Sequence, residues 1–132
     1  MKKTIALVAH NNMKIAMAEW ANMNKNTLKK FNLVGTEGTA SIVRNIAGLN
    51  ISDLGHGPAG GDIVIAHNVL EGKIDYLFFF IDVETPHGHE HEIQTLIRIS
   101  VIKNIAIALN PTTGTLLINS LEKMETVKIK TW

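Results

Sequence analysis

At 132 residues, 45% of them hydrophobic and 19% charged, the chain has the length of one domain and enough apolar side chains for a core of its own. Its formal net charge of +1 gives no electrostatic ground for nucleic acid or an acidic membrane surface as a partner, and its longest basic runs are the pairs Lys2-Lys3 and Lys29-Lys30. There is no cysteine, which removes disulfide frameworks, thiolate metal sites and thiol nucleophiles together.

The N-terminus, MKKTIALVAH, starts basic and apolar, but the apolar run stops at His10, too short for a secretory h-region. No stretch nears the roughly 20 apolar residues of a membrane span. A cytoplasmic protein is expected. Thr4–Ala9 reads as a strand covered on both faces, because its apolar run is continuous. Met13, Ala16, Met17 and Trp20 follow at helical spacing, and residues 31–34 suggest a second strand. A short helix is expected over residues 40–47, closed by Gly48, and a weaker strand over 49–54. Asp62–Leu70 reads as a helix with Gly72 at its end. Residues 76–81, YLFFFI, form the strongest strand pattern, and their bulk without alternation places them centrally in a sheet. Ile93, Leu96, Ile97 and Val101 recur at helical spacing. A strand over 105–109, a helix over 113–121 and an alternating edge strand over 126–131 complete the series. Strand and helix alternate throughout, which predicts a single three-layer, Rossmann-like α/β domain over residues 1–132 with a mainly parallel sheet.

Ligands of open α/β sheets bind beyond the carboxyl ends of the strands. The loops there are residues 10–14, 35–39, 55–62, 82–92 and 110–114. They hold eight of the ten glycines, five of the six histidines and all three prolines. Residues 35–39, GTEGT, offer hydroxyls and backbone N–H groups at a helix start, which suits an anion. The plainer account is a strand–helix turn with Thr39 as N-cap. No Lys follows the last Gly, so this is not a Walker A loop. Residues 55–62, GHGPAGGD, carry four glycines and let backbone approach a ligand closely; Asp62 alone would read as a helix cap, but a cap does not need Gly-Gly before it. In residues 82–92, DVETPHGHEHE, His87, His89 and His91 with Glu90 and Glu92 invite a metal. Three alternate His face one way only in an extended stretch, and Pro86, Gly88 and the coming helix oppose that; the spacing fits no standard zinc pattern, so no metal is expected. A solvated helix start or an acid–base histidine are the other readings. His10 and Lys14 straddle the end of the first strand, where a Lys can reach an anion. His67 reads as a surface residue or a satisfied partner.

Taken in order, these pieces resemble the methylglyoxal synthase family. The likeness runs from IALVAH and Lys14, through Thr36 and Thr39, the segment 56–62 (HGPAGGD), Gly72-Lys73-Ile74-Asp75, Phe78-Phe79-Phe80, Asp82, His89 and Leu96-Ile97-Arg98, to Asn104-Ile105 and Asn110. The resemblance implies a homohexamer that turns dihydroxyacetone phosphate into methylglyoxal and inorganic phosphate without metal or organic cofactor. By position, Asp62 is the general base and His89 moves the proton between substrate oxygens. Lys14, Thr36, Gly38 and Thr39, with His56 and Gly57, hold the phosphate, and His10 and Asp82 line the pocket, Asp82 as a member of the catalytic set.

Several positions depart from the family pattern. Its second loop reads TGTTG, so Glu37 here puts a carboxylate where the family has Gly. Two like charges about 4 Å apart at an effective dielectric near 20 repel by roughly 4 kcal/mol, or about three decades of affinity. Glu37 therefore faces solvent, or phosphate binding is altered. Asn11 replaces an Asp, His56 a Ser, Val83 and Gly88 prolines, and Glu92 an Asp; no C-terminal Arg follows Leu121. These departures support a second reading, a non-catalytic paralogue that binds a phosphorylated metabolite in a regulatory role.

Overall fold

The computed structural model describes residues 2–55, 61–84 and 90–124. The apolar run Thr4–Ala9 forms β1, buried from Ile5 onward. A 3-10 turn, Asn11–Met13, leads directly into α1 (Lys14–Met23), and the single turn α2 (Lys25–Leu28) returns the chain to β2 (Asn32–Gly35). There follow α3 (Glu37–Ala47), β3 (Ile51–Asp53), α4 (Asp62–Leu70), β4 (Tyr76–Phe80), α5 (Glu90–Ile102), β5 (Ala106–Ala108) and α6 (Pro111–Met124). Among the described residues the strands make one sheet in the order β3-β2-β1-β4-β5, every pair parallel.

The pleat of the two interior strands explains the three layers. Ile5, Leu7 and Ala9 of β1 and Phe78 and Phe80 of β4 face one side, where they meet Met17, Trp20, Val43 and Ile118 from α1, α3 and α6. Ala6, Val8, Leu77 and Phe79 face the other, against Ile65 and Val69 of α4 and Leu96 of α5. Burial on both faces is why neither strand alternates in sequence. Tyr76–Phe80 is interior as expected, although the middle strand is β1.

Apart from α2, the differences from expectation among the described residues sit at element ends. α3 starts at Glu37, not at residue 40, and its N-cap is Thr36, not Thr39. Gly38 and Thr39 therefore lie in the first helical turn. The first-turn N–H groups have no intrahelical partner anyway, so a glycine there disturbs little. α6 begins at Pro111 rather than Thr113, because Pro suits the first helical position and the Asn110 side chain caps the Thr113 N–H at 2.8 Å. α5 begins at Glu90, ahead of Ile93. α2 was not expected; its one turn buries Leu28 completely. Gly48 (φ +67°) closes α3, and Gly72 (φ +73°) stands one residue past the Glu71 cap of α4, both in the left-handed region. The edge strand expected over 126–131 lies outside the described residues.

Candidate active site

After β1 the chain enters α1 on one face; after the neighbouring β4 it reaches α5 on the other. That reversal opens a crevice at the carboxyl ends of β1 and β4. His10 and Asp82 meet there. The backbone N–H of Asp82 donates to His10 Nδ1 at 2.9 Å, and the N–H of His10 donates to the Phe80 carbonyl at 3.2 Å. The imidazole stands edge-on to Phe79, with ring centroids 5.2 Å apart. Because Nδ1 accepts a hydrogen bond, the neutral ring carries its proton on Nε2. Both carboxylate oxygens of Asp82 are engaged. Oδ2 accepts from Asn12 Nδ2 at 3.0 Å, and Oδ1 accepts from the Glu84 N–H at 3.0 Å. A cavity of about 540 Å³ opens here, lined by Asn12, Met13, Ile81, Asp82, Val83 and Glu84.

Lys14, Thr36, Gly38 and Thr39 come together beside this crevice. Lys14 opens α1, and its side chain lies across the first turn of α3: a Cβ added to Gly38 would strike Lys14 Nζ and sit 3.1 Å from Lys14 Cε. The ammonium donates to Asn11 Oδ1 at 2.8 Å. A cation over a helix N-terminus, among backbone N–H groups, forms a setting for an anion. Glu37, in that same turn, is exposed to solvent. Thr39 is fully buried. Its Oγ1 accepts from the Ala9 N–H at 3.2 Å and from Thr36 Oγ1 at 3.3 Å. The hydroxyl that the sequence reading treats as a ligand group is thus also a tie within the protein, and it can offer a ligand only its proton.

Asp62 begins α4 directly after the N-cap Gly61 and is partly buried. Gly55 joins this helix start to that of α3. Its carbonyl accepts the Glu37 N–H at 2.9 Å, and a Cβ built on it would lie 4.0 Å from Val64 Cγ2. With φ +125°, Gly55 occupies backbone space that other residues rarely enter. The starts of α1, α3 and α4 therefore share one edge of the sheet. His56, Gly57 and His89 lie outside the described residues, as do His87 and most of both glycine- and histidine-rich loops. Among the described residues no group of three His, Asp or Glu could hold a metal ion. His67 is exposed, with Nε2 3.5 Å from Glu71 Oε1 one turn on.

Sequence reading missed Asn12 as the partner of Asp82. The only available signal was an Asn pair directly after a strand-ending His.

The sequence model of the MGS-like domain family matches residues 16–109. A methylglyoxal synthase of Clostridium acetobutylicum is 40% identical over 90% of this chain and 82% of its own length. One from Rhizobium rhizogenes is 40% identical over 90% of this chain and 95% of its own. The crystal structure of methylglyoxal synthase from Elizabethkingia anophelis superposes with a TM-score of 0.83 at 29% identity, covering 89% of this chain and 77% of that one. A parallel sheet whose loops gather His10, Lys14, Thr36 and Asp62 on one edge, in a chain this similar to those enzymes, belongs to the methylglyoxal synthase family.

Proposed function

We propose that the protein is a methylglyoxal synthase, a lyase that converts dihydroxyacetone phosphate to methylglyoxal and inorganic phosphate. The observation that carries the reading is the Lys14 ammonium laid over Gly38 at the start of α3, on the edge of the sheet where Asp62 starts α4. Lys14, Thr36 and the N–H groups of Gly38 and Thr39 in the first turn of α3 hold the phosphate, with His56 and Gly57 from the next loop. That grip is remote from the proton transferred, so it supplies orientation. The Asp62 carboxylate takes a proton from the hydroxymethyl carbon beside the ketone, leaving an enediolate. The step succeeds only if donors already aimed at the oxygen stabilise that charge as it develops, and His89, which also shuttles the proton between the two oxygens, is assigned this part. The enediolate then breaks the carbon–oxygen bond to phosphate, and the enol relaxes to methylglyoxal. The atoms of the substrate account for both products, so no water or other co-reactant is consumed. His10 and Asp82 line the pocket. The exposed placement of Glu37 favours a carboxylate turned away from the phosphate.

Cytoplasmic location and a homohexamer belong to the same proposal; sedimentation of the purified protein tests the latter. Among the described residues no helix is long and apolar enough to cross a membrane.

The test is direct. The purified protein is incubated with dihydroxyacetone phosphate and methylglyoxal is followed. Asp62→Asn should lower kcat by about 10²–10⁴-fold while inorganic phosphate still binds. An Asp62→Asn variant with full activity would move the base elsewhere. A wild-type protein that binds phosphate and never turns over would make it the non-catalytic paralogue.

A further inference from the structure

One face of the sheet is bare over β2 and β3. On the side that α4 and α5 cover at β1 and β4, Asn32 of β2 and Ser52 of β3 stay exposed, and Val34, paired with Ser52, is only half-buried. A cavity of about 270 Å³ opens there, and Lys2, Lys29 and Asn50 line it with those three residues. It extends from the amino ends of β1 and β2, whereas the crevice of His10 and Asp82 lies at the carboxyl ends. Among the described residues two ammonium groups border the cavity and no carboxylate does. Asp75, at the amino end of β4, is engaged elsewhere: it stands 3.9 Å from Lys3 Nζ and accepts the Thr4 N–H at 2.8 Å. We propose that this cavity is a second anion site, for a small phosphorylated polyol or sugar. Lys2 and Lys29 hold its phosphoryl group, and Asn32, Asn50 and Ser52 meet its hydroxyls. The site shares no residue with the candidate active site and does not depend on the enzyme reading.

The chemistry of the lining favours such a ligand. Like charges around one concavity repel, and an anion between them relieves the repulsion. Lysine offers a compact charge with three donors on a flexible stem, which suits phosphoryl oxygens. Asn and Ser side chains both donate and accept, as a hydroxyl requires of its neighbours. The volume is just below the range of about 300–1,000 Å³ common for ligand pockets, so it suits one phosphoryl group and a few carbons. A second copy of the chain fits this face poorly, because interface centres are apolar and poor in lysine. The exposed apolar side chains Ile63, Leu70, Val101 and Ile102 are on α4 and α5 instead. Lys2, Lys29 and Ser52 are exposed, so changing them leaves the core intact.

The chain has no cysteine, so Ser52→Cys places a single thiol in the cavity. Its alkylation by iodoacetamide, an uncharged reagent, is followed with glucose 6-phosphate, glucose or inorganic phosphate present. Without ligand the thiol should react readily, because position 52 is exposed. Glucose 6-phosphate should slow the reaction saturably, by about tenfold or more, and inorganic phosphate should protect more weakly. Glucose should not protect. Lys2→Glu combined with Lys29→Glu should weaken protection by roughly tenfold or more, whereas Lys14→Ala should leave it unchanged. Protection that survives the double reversal, equal protection by glucose, or protection lost with Lys14→Ala would overturn the site. A thiol inert in the ligand-free protein would overturn it too, and assign the face to a contact between copies of the chain. Calorimetry on chains that keep Ser52 guards against disturbance by the thiol. Glucose 6-phosphate is titrated into Lys14→Ala with and without the double reversal, and equal affinity in the two would reject the proposal.

Discussion

Gly35 and Gly38 are three residues apart and glycine for different reasons. A Cβ on Gly35 would come within 2.7 Å of the Leu7 carbonyl oxygen, which is backbone in the neighbouring strand and cannot yield cheaply. A Cβ on Gly38 would meet the far end of the Lys14 side chain, which can swing away. Gly35→Ala should therefore cost about 1–3 kcal/mol of stability by forcing the β1–β2 pairing apart. Gly38→Ala should leave stability almost unchanged and weaken phosphate about tenfold through displacement of Lys14. Urea unfolding and phosphate calorimetry on the two variants check the pair; equal phosphate affinity in Gly38→Ala and wild type would remove Lys14 from the anion site. Both glycines were visible in the sequence as part of a loop suited to an anion. That one guards a strand and the other a lysine was not, because each reason lies on a different element.

Thr39 shows the same at the scale of elements. β1 pairs with β2 only as far as Leu7 opposite Gly35, but with β4 as far as Ala9 opposite Phe80. Beyond the end of β2, the Ala9 N–H donates to Thr39 Oγ1 in the first turn of α3. A helix side chain thus stands in for a strand that has ended. Thr39→Val, of similar shape but without the oxygen, should cost about 1–3 kcal/mol, because it leaves a buried N–H unsatisfied. Thr39→Ser should cost clearly less, and denaturant midpoints distinguish them. Thr39 lies in the first turn and not at the cap, because the extended residue Thr36 lets the helix begin at Glu37, one residue before Gly38-Thr39. Local chemistry alone cannot announce this, since Glu37-Gly38 reads as a turn. Where local chemistry and packing agree, the reading holds: Thr4–Ala9, Asp62–Leu70 and the run from Tyr76 match the elements found.

For the molecule as a whole, depth in the sheet sets the hierarchy of stability. β1 and β4 are interior and covered by helices on both faces, whereas β3 and β5 are three-residue strands at the two edges of the sheet among the described residues. Backbone amides of β1 and β4 should exchange with solvent most slowly, at close to the global unfolding free energy, and those of β3 and β5 should open first. Native-state hydrogen exchange would contradict this layering if edge and interior strands exchanged together. The sequence by itself determined the alternation of strand and helix, the parallel three-layer class and the loops in which polar and glycine residues collect, because hydrophobic period and turn chemistry are written in neighbouring residues. Only the tertiary structure decided that Lys14 lies on Gly38, that Thr39 completes β1, and that Asn11 and Asn12 take the opposite charges of Lys14 and Asp82. Apart from Asn11 and Lys14, three residues apart, these pairings depend on strand order and on which face each helix takes, and the longest of them joins residues 70 apart in the chain.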